Sequence, residues 1–245
     1  MSLSGRAIII GLAGGFFGSM VGLGGAVVII PLLTSLIVGL TMFLLLGRPL
    51  EGIMTGLTDW LSSMSGSSAV LLGVILGLMM CFDLGGPVNK AAYLFATAGL
   101  STGDEASMQI MAAVMAAGMV PPIALSVATF LRSRLFSPAE QENGKSAWLL
   151  GLSFISEGAI PFAAADPLRV IPSMMIGGAT TGALSMALGV GSRAPHGGVF
   201  VLFAIDPWWG FLVAILAGTV VSVVAVIALK QFWPTKAVAA ATVDA

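Results

Sequence analysis

An all-α, polytopic membrane protein is the fold class that the sequence predicts, on three observations. Of the 245 residues 58% are apolar and 9% charged, whereas about a quarter of a soluble domain is charged. Apolar runs of about 20 residues, the length that crosses a hydrocarbon core of about 30 Å, recur along the chain. Glycine is abundant, at 32 residues, and small residues let membrane helices approach closely. A bundle of about 6–7 membrane segments with re-entrant hairpins is therefore expected. A net charge of −1 without a basic run argues against nucleic acid as a partner. The single cysteine, Cys81, excludes an internal disulfide and reads as a small buried hydrophobe. One histidine, His196, with no neighbouring ligands argues against a metal site.

In chain order, residues 7–30 place Gly11, Gly14, Gly15, Gly18, Gly22, Gly24 and Gly25 largely at three- and four-residue spacing, a stripe for close helix packing. Apolar sequence continues past it without a small-residue cleavage site, so it is expected to be a first membrane segment and not a signal peptide. GLGGA lacks the Lys-Ser or Lys-Thr of a phosphate loop. Residues 27–46 form a span with Pro31 near its start, and 48–68 form an interfacial amphipathic helix, with Ile53, Leu57, Trp60 and Met64 opposite Glu51, Thr55 and Asp59. Residues 69–82 are apolar and run into Asp83-Leu-Gly-Gly-Pro-Val-Asn89-Lys90. That stretch reads either as a discontinuous helix presenting polar groups or as an interfacial loop with a snorkelling lysine.

STGDEAS at 101–107 is a turn with Ser101 or Thr102 as N-cap for a span over 108–131, kinked at Pro121-Pro122. The polar loop RSRLFSPAEQENGK follows, and Arg132, Arg134 and Lys145 place it on the cytoplasmic side, with Lys230 and Lys236 putting the chain's end there too. Further spans are expected over 170–190 and 210–229, the last headed by the interfacial pair Trp208-Trp209.

Chemistry concentrates in 151–173, GLSFISEGAIPFAAADPLRVIPS, where Glu157, Asp166 and Arg169 lie in membrane-grade sequence broken by Gly158, Pro161 and Pro167. A carboxylate at bilayer depth costs about 2.5–3.5 kcal/mol on insertion scales and is by default functional. Irregular backbone there must be buried in protein or line a wet cavity, so SEGAIPF reads as the bend of a re-entrant hairpin aimed at a polar ligand. Asp166 and Arg169, three residues apart, are expected to pair and stabilise the hairpin's far end.

The motifs at 151–173, 83–95 (DLGGPVNKAAYLF) and 193–203 (RAPHGGVFVLF) together resemble the membrane (IIC) component of the fructose-specific phosphotransferase system, over about 29–233. The resemblance implies a sugar permease subunit of the bacterial plasma (inner) membrane, multi-pass and homodimeric. It would bind fructose or a related ketose or hexitol, move it inward and present a hydroxyl to a phosphocysteine on a IIB partner. IIB in turn is charged through IIA, the histidine phosphocarrier protein and enzyme I. The chain would thus be the membrane subunit of a protein-phosphohistidine–fructose phosphotransferase, with no phosphoryl donor and no cofactor of its own. On that resemblance Glu157 is the catalytic candidate, orienting the reacting hydroxyl and withdrawing its proton, and Asp83, Asn89, Lys90, Glu157 and His196 are the substrate-binding candidates.

The domain reading is a Gly-rich membrane helix over 1–28, a IIC-like domain over 29–236 and a tail over 237–245. The resemblance implies further helices ahead of the point matching Ile29, so the reading is a IIC fold truncated on its N-terminal side. Residues 7–33 resemble instead the first helix of the sulfite exporter TauE/SafE family. That leaves a sulfite or sulfonate exporter, or an inactive permease fragment, as alternatives. An exporter of that kind is expected to repeat the Gly-rich motif in its C-terminal half, and the later spans lack the GxGG-to-Pro pattern.

Overall fold

The computed structural model describes residues 69–100 and 103–233, together with the helical positions 36, 37, 40 and 52. The Gly-rich segment at 7–30, most of the 27–46 span and of the interfacial helix at 48–68, and the tail lie outside the described residues. The chain divides into two units, Met1–Ile53 and Met54–Ala245, and the architecture that follows is that of the second.

Its elements are α1 (Ala69–Phe82), α2 (Pro87–Leu100), α3 (Glu105–Leu131), α4 (Pro138–Leu152), α5 (Ile160–Ala165), α6 (Pro167–Ala187) and α7 (Trp208–Phe232). Short 3₁₀ turns precede α4 (Ser133–Leu135) and α5 (Ser156–Ala159). Between α6 and α7 lies a two-stranded antiparallel ribbon, β1 (Gly191–Ser192) with β2 (Ile205–Asp206), Gly191 opposite Asp206.

α3 is apolar on every face, a run of Ala, Met and Val with no wet side, and such a helix is stable only when surrounded. It is the centre of the fold: its middle, including Met111, Met115 and Met119, is fully buried, and α1, α2, α4, α6 and α7 all pack on it. Among the described residues three helices are long and apolar enough to cross a membrane: α3 with 27 residues, α6 with 21 and α7 with 25. The other helices are shorter pieces, and the broken elements lie there. α1, with 14 residues, is about 21 Å long, too short for a full crossing. α7 turns Val213, Leu216, Val220 and Val224 outward at helical spacing, the stripe that hydrocarbon solvates and water would not.

α1 and α6 cross with backbone against backbone. A Cβ added to Gly73 would collide with the carbonyl of Gly182, and one added to Gly77 with that of Gly178. The obstacle is main chain and cannot rotate aside. Gly77→Val is therefore expected to cost about 3 kcal/mol, at the upper end of overpacking. Loss of roughly 5–10 °C in unfolding temperature in detergent is the measurement; an unchanged midpoint would show that the two helices are free to separate.

Two local expectations are corrected. The N-cap of α3 is Asp104, whose Oδ1 accepts the Ser107 N–H at 2.8 Å, because an acid one residue before the helix reaches the free N–H groups; Ser101 and Thr102 lie outside the described residues. α3 contains Pro121 and Pro122, both buried, within its length. The polar stretch after α3 is a loop only as far as Ser137. There Ser137 and Glu140 form a capping box, with Ser137 N–H donating to Glu140 Oε2 at 2.7 Å, and Pro138 starts α4.

Candidate functional site

α4 begins polar and ends apolar, then stops at Leu152. Phe154 takes φ +63°, a left-handed conformation that a bulky residue adopts only under tertiary constraint. The constraint is visible: Gly198 of the 193–204 loop lies so close that a Cβ there would strike the Leu152 carbonyl and the Phe154 nitrogen. Ser156–Ala159 follows as a 3₁₀ turn, Pro161 falls in the first turn of α5 and Pro167 opens α6. The prolines mark the breaks because each starts a helix and cannot continue one.

The depth of this bend follows from its anchors. The Ser156 hydroxyl donates to the Gly118 carbonyl at 2.8 Å, and Gly118 is the midpoint of the 27-residue α3, about 20 Å from either end. The two roots of the hairpin meet at the far end of α3. Lys230 near the C-terminus of α7 lies 3.0 Å from Glu140 in the first turn of α4 and 3.2 Å from Asp166 at the end of α5. The hairpin thus enters and leaves on one side and turns half-way through, which makes it re-entrant as expected.

The 83–90 stretch comes to the same level. Cys81, at the end of α1, lies 3.6 Å from the Ala117 carbonyl. Between α1 and α2 the chain passes through Leu84 and Gly85, at φ +50° and +114°. Of the two readings left open by the sequence, the discontinuous helix is therefore the one adopted. Lys90 does not snorkel to an interface; its Nζ lies 3.1 Å from Glu157 Oε1, both side chains about half exposed to the cavity. Gly85 backs that carboxylate so closely that a Cβ would come within 2.8 Å of Oε1.

Around the pair opens a cavity of about 410 Å³ walled by Met80, Asn89, Lys90, Tyr93, Phe154, Ile155, Ser156, Glu157 and His196. Four of the five sequence-predicted residues, Asn89, Lys90, Glu157 and His196, thus share one chamber. Asn89 is buried and held by Nδ2 donating to the Met80 carbonyl at 2.6 Å, which ties the start of α2 back to the end of α1.

Asp83 is placed differently. It is not among the wall residues, because both carboxylate oxygens are taken by main-chain donors. Oδ2 accepts from Val88 N–H at 2.7 Å and Oδ1 from Asn89 N–H at 2.9 Å. It caps α2 and shapes the break, and it pairs with neither Lys90 nor the cavity.

The sequence reading passed over the aromatic wall. The Phe154 and His196 rings lie 4.9 Å apart, Tyr93 to Phe154 6.0 Å and Tyr93 to His196 6.3 Å. Tyr93 is the chain's single tyrosine, a polar-tipped ring in apolar sequence, and that rarity was the available signal. The root cluster was half seen. Arg169 Nε does pair with Asp166, at 2.6 Å, but Arg169 Nη1 also donates to the Trp233 carbonyl at 2.9 Å. Lys230, read from the sequence as a positive-inside charge after the last span, is buried between two carboxylates and lies 4.5 Å over the Phe136 ring.

The family model described as "Phosphotransferase system, EIIC" matches residues 19–177, beginning inside the Gly-rich stretch that resembles an exporter helix. The fructose-specific EIIB'BC component of Escherichia coli K12 is 58% identical over 208 residues, covering 84% of this chain and 36% of that protein. The fructose-specific EIIC component of Haloferax volcanii is 47% identical over 219 residues, 89% of this chain and 58% of that one. The fructose-specific EIIABC component of Bacillus subtilis is 44% identical over 195 residues, 80% of this chain and 30% of that one. The chain spans between about a third and three-fifths of the length of these relatives. No solved structure matches it. Nothing in these likenesses favours the exporter alternative. With the family model covering most of the sequence and the relatives agreeing, this chain is a membrane protein that belongs to the phosphotransferase system EIIC family.

Proposed function

We propose that the chain is a fructose permease subunit that holds the sugar at the Glu157–Lys90 pair and presents one hydroxyl to a phosphorylated IIB partner. The observation that carries the reading is the ion pair itself, set at the midpoint of the central helix in a cavity walled by Asn89 and His196. A carboxylate accepts from sugar hydroxyls more strongly than a neutral oxygen does, and Tyr93 and Phe154 supply flat apolar walls for the sugar's carbon face. IIB and IIA partners, homodimer formation and multi-pass insertion in the inner membrane belong to the same reading. Relatives named EIIB'BC and EIIABC support the first two.

The pair also suits the chemistry. As the hydroxyl oxygen attacks phosphorus, its proton passes to Glu157, the new O–P bond forms, and the S–P bond of the IIB phosphocysteine breaks to release thiolate. Neutralising Glu157 frees the charge of Lys90 at the moment the phosphoryl oxygens arrive, and phosphoryl transfer depends mainly on such alignment and charge stabilisation. When Glu157 gives up its proton the pair re-forms, and the sugar phosphate loses its counter-charge.

Phosphoenolpyruvate-dependent fructose phosphorylation by membranes holding the chain, with IIA and IIB supplied, tests the reading. Lys90→Met is expected to lower turnover by about 10²-fold while fructose still raises the protein's unfolding temperature. Fructose neither phosphorylated nor able to shift the unfolding temperature would defeat the proposal. Sulfite export without phosphorylation would restore the exporter alternative.

A further inference from the structure

The C-terminal end of α3 and the turn after it carry two cations that the transport reading does not use. Arg132 and Arg134 are both exposed, and with Leu131, Ser133, Leu135 and Gln231 they line a cavity of about 390 Å³ between the ends of α3 and α7. Neither guanidinium has an ion-pair partner among the described residues, whereas Lys90, Lys145, Arg169 and Lys230 each face a carboxylate. The nearby carboxylates of Glu140 and Asp166 are already taken by Lys230 and Arg169. Among the described residues the cavity therefore carries two positive charges without an ion-pair partner.

Its wall residue Leu131 is 63% exposed, and the chain neighbours of its wall, Phe130 at 62% and Phe232 at 80%, are strongly exposed apolar residues too. Phe130 and Leu131 end α3 and Phe232 ends α7, two helices of membrane-crossing length. A cationic recess opening onto hydrocarbon-facing surface at a helix end matches one kind of molecule: an anion attached to acyl chains. We propose that Arg132 and Arg134 form a binding site for the headgroup of an anionic glycerophospholipid. The guanidinium forks grip the phosphate in the bidentate manner that arginine favours, and the acyl chains run along Phe130, Leu131 and Phe232. Basic recesses at the ends of membrane helices are where such headgroups collect. A free anion would gain nothing from the apolar rim, and a zwitterionic headgroup would leave the second charge unanswered. The inference rests on the membrane assignment alone and is independent of the sugar reading.

The test is lipid retention by the full chain in detergent, read by native mass spectrometry, with phosphatidylglycerol and phosphatidylcholine as competing probes. Wild-type protein is expected to retain phosphatidylglycerol about tenfold better than phosphatidylcholine, and the Arg132→Gln/Arg134→Gln protein to lose that preference. The comparison of the two lipids on wild-type protein needs no variant, so a folding defect cannot hide the answer. Equal retention of both lipids overturns the site. So does competition by inorganic phosphate at the lipid's own concentration, which would mark a free-anion site. Unchanged lipid preference in the double variant together with lost IIB-dependent phosphorylation also overturns it, and would assign the two arginines to the partner's docking face.

Discussion

Glu157→Gln is expected to abolish sugar phosphorylation, with a loss on the order of 10²–10⁴-fold, the range that a positioned general base contributes. The replacement keeps the shape of the side chain and an oxygen that can still face Lys90, so Gly85 and Ser156 continue to hold the bend. What it removes is the ability to accept the hydroxyl proton and, with it, the change of charge that releases Lys90. Binding should suffer less, because an amide oxygen still accepts hydrogen bonds from sugar hydroxyls. Loss of charge assistance is worth about 1 kcal/mol, some fivefold in affinity. The diagnostic result is a protein whose unfolding temperature still rises with fructose but whose membranes no longer phosphorylate it. Full activity in Glu157→Gln would remove the residue from the chemistry and leave it a structural partner of Lys90. A parallel loss of binding and turnover would make it a recognition group only.

The site was legible where charge stood out against its background. In a chain with 9% charged residues, a glutamate just ahead of Gly158 and Pro161 stands out as a candidate, because bilayer depth penalises a carboxylate there. Asn89 and His196 were found for similar reasons, each a polar residue at a Gly/Pro break. Asp83 shows the limit of that logic. An acid beside Gly-Gly-Pro is equally suited to a ligand and to the N–H groups of a helix start, and only the geometry of the break assigns it to Val88 and Asn89. Phe154 was illegible for a different reason. Its left-handed backbone is imposed by Gly198, 44 positions away in the chain (198 − 154), and no local pattern encodes a contact of that range. The start of α4 was legible and passed over: Ser137-Pro138-Ala139-Glu140 is a capping-box sequence, but ranking the stretch by polarity made it a loop.

Lys230→Met is expected to be the most destabilising single change at the hairpin's root. Lysine at the end of a membrane helix ordinarily snorkels to water. Here its side chain is 4% exposed, with Glu140 at 3.0 Å and Asp166 at 3.2 Å. Removing the cation leaves Asp166 with Arg169, but Glu140 keeps only main-chain donors in a dry setting. Breaking a buried pair from one side costs about 3–5 kcal/mol, or on the order of 10 °C in unfolding temperature for a chain of this size. The double variant Lys230→Met/Glu140→Met, which leaves no orphaned charge, should recover most of that loss, and a thermal unfolding series on the four proteins reads the coupling directly. Additive losses would mean that the lysine acts by packing against Phe136 and not by charge. The same cluster has a functional consequence, because it joins the two roots of the hairpin whose tip carries Glu157. α4 is 15 residues long, a lever of about 22 Å, and a displacement of about 1 Å at the reacting group is enough to cost about 10²-fold in rate. Lys230→Met membranes assayed below their unfolding temperature should therefore phosphorylate fructose far more slowly than wild-type, although every residue of the cavity wall is intact. An undiminished rate would show that the tip is held by Ser156 and Gly118 alone and that the root cluster serves stability only.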